Sequence, residues 1–278
     1  MKSKLLSKLT SCVLTLALSV VASHAALTTT IIGGAASGAT GDTVNATTAV
    51  TLNDTTATGD MWEGGDQAVF LHNSTRVTGS FSATARVIGQ TAAANGRWGK
   101  GGIQVRNGLT TTDSFAMVQA AAGNDSQPLG ANPVSIRLAG RVPQGATGGG
   151  TMYEDNIGAA ASNNIFRTDG GVNRTWLSIS YDAPTNAFIA GFAPDVGGIA
   201  GEWTFSAART NVQDSNPADG WYVGLAYSAH ADMSLGTPAT EGQHGVTFDN
   251  FKIIPEPSTA LLGSALVGVL ALRRRRRS

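Results

Sequence analysis

The sequence predicts an all-β fold of two packed sheets, a sandwich or jelly roll, and three observations predict it. Charged residues make up only 14% of a chain rich in Gly, Ala, Thr and Ser. No stretch between the chain ends keeps the i, i+3, i+4, i+7 apolar spacing of an amphipathic helix over three turns. From Gln67 onward, short runs of alternating apolar and polar residues recur with turn residues between them, the pattern of half-buried antiparallel strands.

Ten runs qualify as strands: 68–71, 77–88, 101–106, 115–121, 134–141, 176–181, 187–192, 202–206, 221–228 and 246–254. The run 77–88 alternates most clearly, with Val77, Gly79, Phe81, Ala83, Ala85 and Val87 on one side and Thr78, Ser80, Ser82, Thr84 and Arg86 on the other. In 101–106, Ile103 and Val105 face one way, Gln104 and Arg106 the other. Pro184 and Asn186 mark a hairpin turn between the runs ending at Tyr181 and starting at Ala187. Asp249 and Asn250 interrupt the last run and predict a bulge or twist. Residues 26–66 read as an irregular, strand-poor segment: between Asp42 and Gly59 a Thr, Ala and Asn tract has only Val44, Val50 and Leu52 as apolar anchors. The sandwich proper is expected over 67–254.

The chain ends carry signals. Lys2, Lys4 and Lys8 precede an apolar stretch over 12–22, and Ser23-His24-Ala25 supplies small residues where a signal peptidase reads, predicting a signal peptide over 1–25 with cleavage between Ala25 and Ala26. Its removal takes away Cys12, the one cysteine, and with it disulfides, thiolate metal sites and a cysteine nucleophile. At the other end, Pro255-Glu256-Pro257 precedes an uncharged apolar run over 260–272 and then Arg273, Arg274, Arg275, Arg276 and Arg277. A helix over 258–272 is about 22 Å long, just able to cross roughly 30 Å of hydrocarbon, and the arginine block holds its end on the cytoplasmic side.

That order of parts over 255–278 resembles the PEP-CTERM sorting signal. The resemblance implies an exosortase-like membrane enzyme as partner, which cuts near the Pro-Glu-Pro. It also implies a route through an inner-membrane intermediate, anchored by the C-terminal helix, to the cell surface or extracellular matrix.

Charge excludes one class of partner. Residues 26–254 hold 11 basic and 18 acidic residues, a net of −7, so no nucleic acid is expected. Catalytic patterns are also missing. There is no Gly-x-Ser-x-Gly elbow, and the acids Asp113, Asp125, Asp155, Asp169, Asp182, Asp195, Asp214, Asp219 and Asp232 are scattered singly, mostly at turns. The adjacent Glu154 and Asp155 would point to opposite faces of a strand, and Glu202 stands alone beside Trp203. His72, His230 and His244 lack metal-ligand spacing and read as loop or edge residues. The stretch 214–220 offers oxygen ligands for a structural calcium ion, the alternative here, but misses EF-hand spacing and reads as a turn, so no metal or cofactor is expected.

The segments Trp98-Gly99-Lys100-Gly101-Gly102-Ile103-Gln104-Val105-Arg106, Ser114-Phe115-Ala116-Met117-Val118, Trp176-Leu177-Ser178-Ile179, Trp221-Tyr222-Val223-Gly224-Leu225-Ala226 and Val246-Thr247-Phe248-Asp249-Asn250-Phe251 occur in an order that resembles the concanavalin A-like lectin/glucanase sandwich. The glucanases of that fold carry Glu-x-Asp-x-x-Glu on one strand, which places two carboxylates roughly 5 to 5.5 Å apart. This chain has no such run. The resemblance therefore implies a non-catalytic protein with extracellular polysaccharide as its partner; the alternative is a secreted glycan-active hydrolase or lyase. Trp176 and Trp221, in alternating runs, are expected to pack in or over a sheet. Trp98, between Asn95-Gly96-Arg97 and a glycine, is the candidate stacking face, with Arg97 and Asn95 as its polar neighbours.

Overall fold

A computed structural model describes residues 26–34, 37–54, 61, 66–91, 99–121, 135–142, 151–158, 175–210, 219–228 and 245–256. Fifteen strands follow in chain order: β1 (Leu27–Ile32), β2 (Ser37–Gly41), β3 (Val50–Asp54), β4 (Ala68–Asn73), β5 (Phe81–Thr91), β6 (Lys100–Arg106), β7 (Phe115–Ala121), β8 (Ser135–Val142), β9 (Thr151–Gly158), β10 (Thr175–Asp182), β11 (Ala187–Val196), β12 (Ile199–Ala200), β13 (Thr204–Phe205), β14 (Tyr222–Ser228) and β15 (Gly245–Pro255). They form a seven-stranded sheet, β1-β4-β14-β6-β7-β8-β9, and a second sheet ordered β12-β11-β10-β5-β15-β3-β2, with β13 also pairing with β11. The pairs β1–β4, β4–β14, β14–β6, β6–β7, β7–β8, β8–β9, β12–β11, β13–β11, β11–β10, β10–β5, β15–β3 and β3–β2 are all antiparallel. The fold is an all-β, two-sheet sandwich, and its contacts gather His24–Ile254 into one unit.

Alternation builds the core between the sheets. Val69, Leu71, Ile103, Val105, Ala116, Val118, Ile136, Leu138, Val223 and Leu225 come from the seven-stranded sheet. Phe81, Ala83, Ala85, Val87, Leu177, Ile179, Phe188, Val246 and Phe248 come from the other, and all are buried together. Trp221 lies in this core with its ring edge-on to Tyr181 and Phe188, centroids 5.3 Å away in each case. Arg209 binds the Asp155 carboxylate of β9 through both Nε and Nη2 and pairs by backbone with Phe188 of β11, tying one edge of each sheet to the other.

The N-terminal segment departs from its sequence reading. It contributes β1, β2 and β3, with β3 pairing against the last strand at Val246↔Leu52 and Phe248↔Val50. The pattern is faint because these strands need few apolar residues: Ile32, Val50 and Leu52 supply the anchors, and threonine suits the pleated surface elsewhere. The run 77–88 is not one strand. Val77 pairs with Trp221 on the seven-stranded side, Gly79 adopts φ +76°, and the chain crosses to enter the other sheet as β5 at Phe81. Only a residue without Cβ takes that dihedral at little cost, so the alternation continues through a crossing between sheets. The 202–206 run likewise reduces to the two residues of β13.

Other readings fit. The hairpin Tyr181–Ala187 turns through residues 183–186 with Asn186 at φ +49°. Asn250, at φ +53°, is where β15 shifts its backbone bonding to Ala46 and Thr47. Among the described residues no helix is long and apolar enough to cross a membrane. The signal peptide, Ala25, Pro257, the apolar run and Arg273–Arg277 all lie outside the described residues. Ala26 is exposed just before β1, Pro255 is the last residue of β15, and Glu256 is exposed beyond it.

Candidate functional site

The face of the seven-stranded sheet turned away from the core mixes polar and apolar residues, most of them buried. On β6 the residues alternating with Ile103 and Val105 are Lys100, Gly102, Gln104 and Arg106. On β7 they are Phe115, Met117 and Gln119, on β8 Arg137 and Arg141, on β14 Tyr222, Gly224 and Ala226, and on β4 Ala68, Phe70 and His72. Register aligns them in rows. Gln104 stands opposite Gly224 on one side and Met117 on the other, and Gly102, Gln119 and Arg137 form the next row. Four of the domain's 11 basic residues, Lys100, Arg106, Arg137 and Arg141, thus share one face of three adjacent strands in a domain of net charge −7.

Two of the four, Arg106 and Arg141, share one buried carboxylate. Asp66, Arg106 and Arg141 are buried together, with Asp66 Oδ2 at 2.7 Å from Arg106 Nη1 and Asp66 Oδ1 at 2.7 Å from Arg141 Nη2. The β6–β7 loop supplies carbonyls for the remaining donors. Arg106 donates to Gly108 O and Thr110 O, at 3.2 and 2.7 Å, and Arg141 donates to Thr111 O at 2.7 Å. Thr111 O also accepts from Asp66 N, and the Phe115 ring lies 5.3 Å from one guanidinium and 5.7 Å from the other. Burial pushes the Asp66 carboxyl up against the pull of the two guanidiniums, and it pushes Arg106 down. The sequence offered no sign of this triad, because Asp66 stands 40 residues before Arg106 in a Gly-rich stretch.

His72 corrects the reading of an edge or loop histidine. It is buried on β4, between β1 and β14, where Nδ1 donates to Asn73 O at 2.7 Å and Nε2 therefore accepts from Thr30 Oγ1 at 2.9 Å. Its ring stacks on Phe70 and meets the edge of Tyr222, and burial holds its pKa below the ordinary 6.5. This is a packed neutral imidazole. His230 and His244 lie outside the described residues, as do Asp125, Asp169, Asp214 and Asp232.

The centre of the face is short of hydrogen-bond partners. Gln104 is fully buried; its Nε2 lies 3.4 Å from Met61 Sδ and 4.0 Å from Met117 Sδ, and its Oε1 has no partner. Thioethers are weak acceptors, so this amide is bonded far below its capacity. Met61 packs with Ile32, Ala68, Phe70, Phe115, Met117 and Ala226 in a second apolar cluster on this face.

The opposite sheet also carries a charged cluster on its outward face. Arg86 binds Asp249 through Nε and Nη2, at 2.8 and 2.6 Å, and Asp195 through Nη1 at 3.3 Å. Trp176 donates from Nε1 to Asp195 Oδ1 at 2.8 Å and receives the Arg86 guanidinium 5.6 Å over its ring, so it covers the sheet as expected. Asp195 and Asp155 are strand residues, not turn residues. Burial pushes the Asp195 carboxyl up, but the indole, Arg86 and the Gly198 N–H together hold it below the usual range. Every member of this cluster is engaged with another. Trp98, Arg97 and Asn95 lie outside the described residues, as does Trp62.

No protein-family model matches the chain, and no curated protein sequence matches it. Among solved structures the chain is similar to a legume lectin-like domain from Entamoeba histolytica, at 8% identity over 84% of this chain and 91% of that one, with a TM-score of 0.45. It is similar to an alginate lyase in complex with an alginate trisaccharide, at 11% identity over 84% and 100%, TM-score 0.44. An endo-1,3-beta-glucanase from Streptomyces sioyaensis aligns at 9% identity over 82% and 88%, TM-score 0.41. Likenesses this distant carry no argument about activity.

Proposed function

We propose that this is an exported, non-catalytic protein of concanavalin-like architecture that binds polysaccharide through the second face of its seven-stranded sheet. The observation that carries the reading is the composition of that face. A sheet that only needed covering would present apolar residues to its cover, yet this one presents Lys100, Gln104, Gln119 and Arg137 in neighbouring rows. Amides and cations on a partly apolar floor recognise hydroxyls and carboxylates, which favours an acidic glycan. The non-catalytic part of the reading rests on the sequence, which lacks a Glu-x-Asp-x-x-Glu run; Asp66, beside this face, has both oxygens bound by guanidiniums. Export and sorting rest on the end segments alone, with Pro255-Glu256-Pro257 and the arginine block as the signal for an exosortase-like enzyme and the cell surface or extracellular matrix as destination.

The test is retention of the whole chain on immobilised alginate, a polyuronate, against a neutral β-glucan. Arg137→Ala and Lys100→Ala should each weaken retention on the polyuronate. Release of reducing ends or unsaturated uronate from either polymer would establish the hydrolase or lyase instead, and equal retention of both variants and the parent chain would remove this face from the reading.

A further inference from the structure

We infer that Gln104 is the floor of a sugar-hydroxyl subsite and that the Met61 side chain occupies it in the free protein. The inference rests on the reading of this face as polysaccharide-binding and names the place where a pyranose engages it. Gln104 is flanked by two glycines, Gly102 on its own strand and Gly224 directly across on β14. A Cβ at Gly102 would stand 1.9 Å from Val118 O, and one at Gly224 would stand 2.2 Å from Leu71 O, so neither position admits a side chain without moving the sheet. Ala226 on β14 and Ala139 on β8, the latter one strand beyond Met117, keep the surrounding layer low. The result is a shallow trough with a carboxamide at its base, filled by Met61 from one direction and Met117 from the other.

The filling is poor in the one respect that matters to an amide. Gln104 has two N–H donors and a carbonyl with two lone pairs. Two sulfurs at 3.4 and 4.0 Å face the donors, and nothing bonds the carbonyl. A buried amide that served packing alone would be more stable as an aliphatic residue, because an unmade hydrogen bond costs the full desolvation of its group. A pair of vicinal hydroxyls supplies what is missing, one oxygen accepting from Nε2 and one O–H donating to Oε1, while the C–H face of the ring lies against the Met117 thioether. Methionine suits the role of occupant, since its unbranched side chain adapts to irregular space. Binding then requires Met61 to leave, and apparent affinity is lowered by the fraction of molecules in which it stays.

The test uses the whole chain, with soluble alginate and a soluble neutral β-glucan as probes and titration calorimetry as the measurement, alongside thermal melts. Met61→Ala should bind the preferred polymer about tenfold more tightly than the parent, the gain expected when a self-competing side chain is removed. Met61→Leu keeps the volume and should bind like the parent. Gln104→Leu should melt at or above the parent temperature and lose binding. If the parent binds and Met61→Ala binds no better, the occupancy of the subsite is overturned and the broader reading stands. If Gln104→Leu binds normally, or melts well below the parent, Gln104 is a packing residue and the subsite is overturned. If neither the parent nor Met61→Ala binds either polymer, the polysaccharide reading itself fails and takes the subsite with it.

Discussion

The two sheets present outward faces built by the same alternation, and each sets arginine against aspartate, but in opposite proportions and surroundings. On the seven-stranded sheet two guanidiniums share one carboxylate, all three side chains are buried, and loop carbonyls take the spare donors. On the other sheet one guanidinium shares two carboxylates beside an indole, with side-chain exposures of 10 to 14%. A buried excess of cation cannot be relieved by water, so the first cluster depends on every contact it has. The second can lean on solvent for part of its bonding. The difference marks the Asp66 cluster as one sealed by the loop between β6 and β7, and the Arg86 cluster as a partly wetted ion pair at the surface of its sheet.

The largest way to break that contrast is Asp66→Ala. It leaves two buried guanidiniums facing each other and should cost about 3–5 kcal/mol, read as a drop of many degrees in the thermal midpoint with no intermediate in the melt. Asp249→Ala on the other face removes two charge-assisted bonds from Arg86 but leaves Asp195 in place, and should cost about 1.5–3 kcal/mol in denaturant unfolding. Equal costs for the two substitutions would mean that burial does not separate the faces.

A finer probe is pH. The folded-state pKa of His72 lies below its ordinary 6.5, so as pH falls the unfolded chain takes up the proton first. The stability His72 contributes is therefore complete above pH 6.5 and is lost as pH falls from there through the folded-state value. Unfolding free energy measured between pH 7 and pH 5 should decline, and His72→Phe should flatten that part of the slope; an unchanged slope would mean that the imidazole is not buried neutral.

The smallest effect is expected on the open sheet's margin. Trp203 lies near-parallel to Phe205, ring centroids 5.9 Å apart, and Phe205 is 56% exposed. Trp203→Ala should change unfolding free energy by no more than about 0.5 kcal/mol. A cost of several times that would show a packing role for the half-buried Trp203 beside the exposed Phe205 ring.

Alternation alone was enough to determine the all-β class, the strands at 115–121 and around 101–106, the hairpin at Pro184–Asn186, the break at Asn250 and the packing of Trp176 and Trp221. Each depends on neighbours a few residues away, or on a side chain whose size and period admit one environment. The tertiary structure decided the rest. Period 2 says that Gln104 and Arg106 share a face but not whether that face meets water, and burial of the face comes from residues far off in the chain, Asp66, Met61 and Ile32 among them. The run 77–88 kept its alternation through a change of sheet because Gly79 turns the chain without breaking the apolar pattern. His72 became a packed imidazole because β1 and β14, brought from 42 and 150 residues away in the chain, close on either side of β4. A sequence records the pattern each strand offers; which strands answer it is settled by long-range pairing, and the character of this face is a property of that pairing.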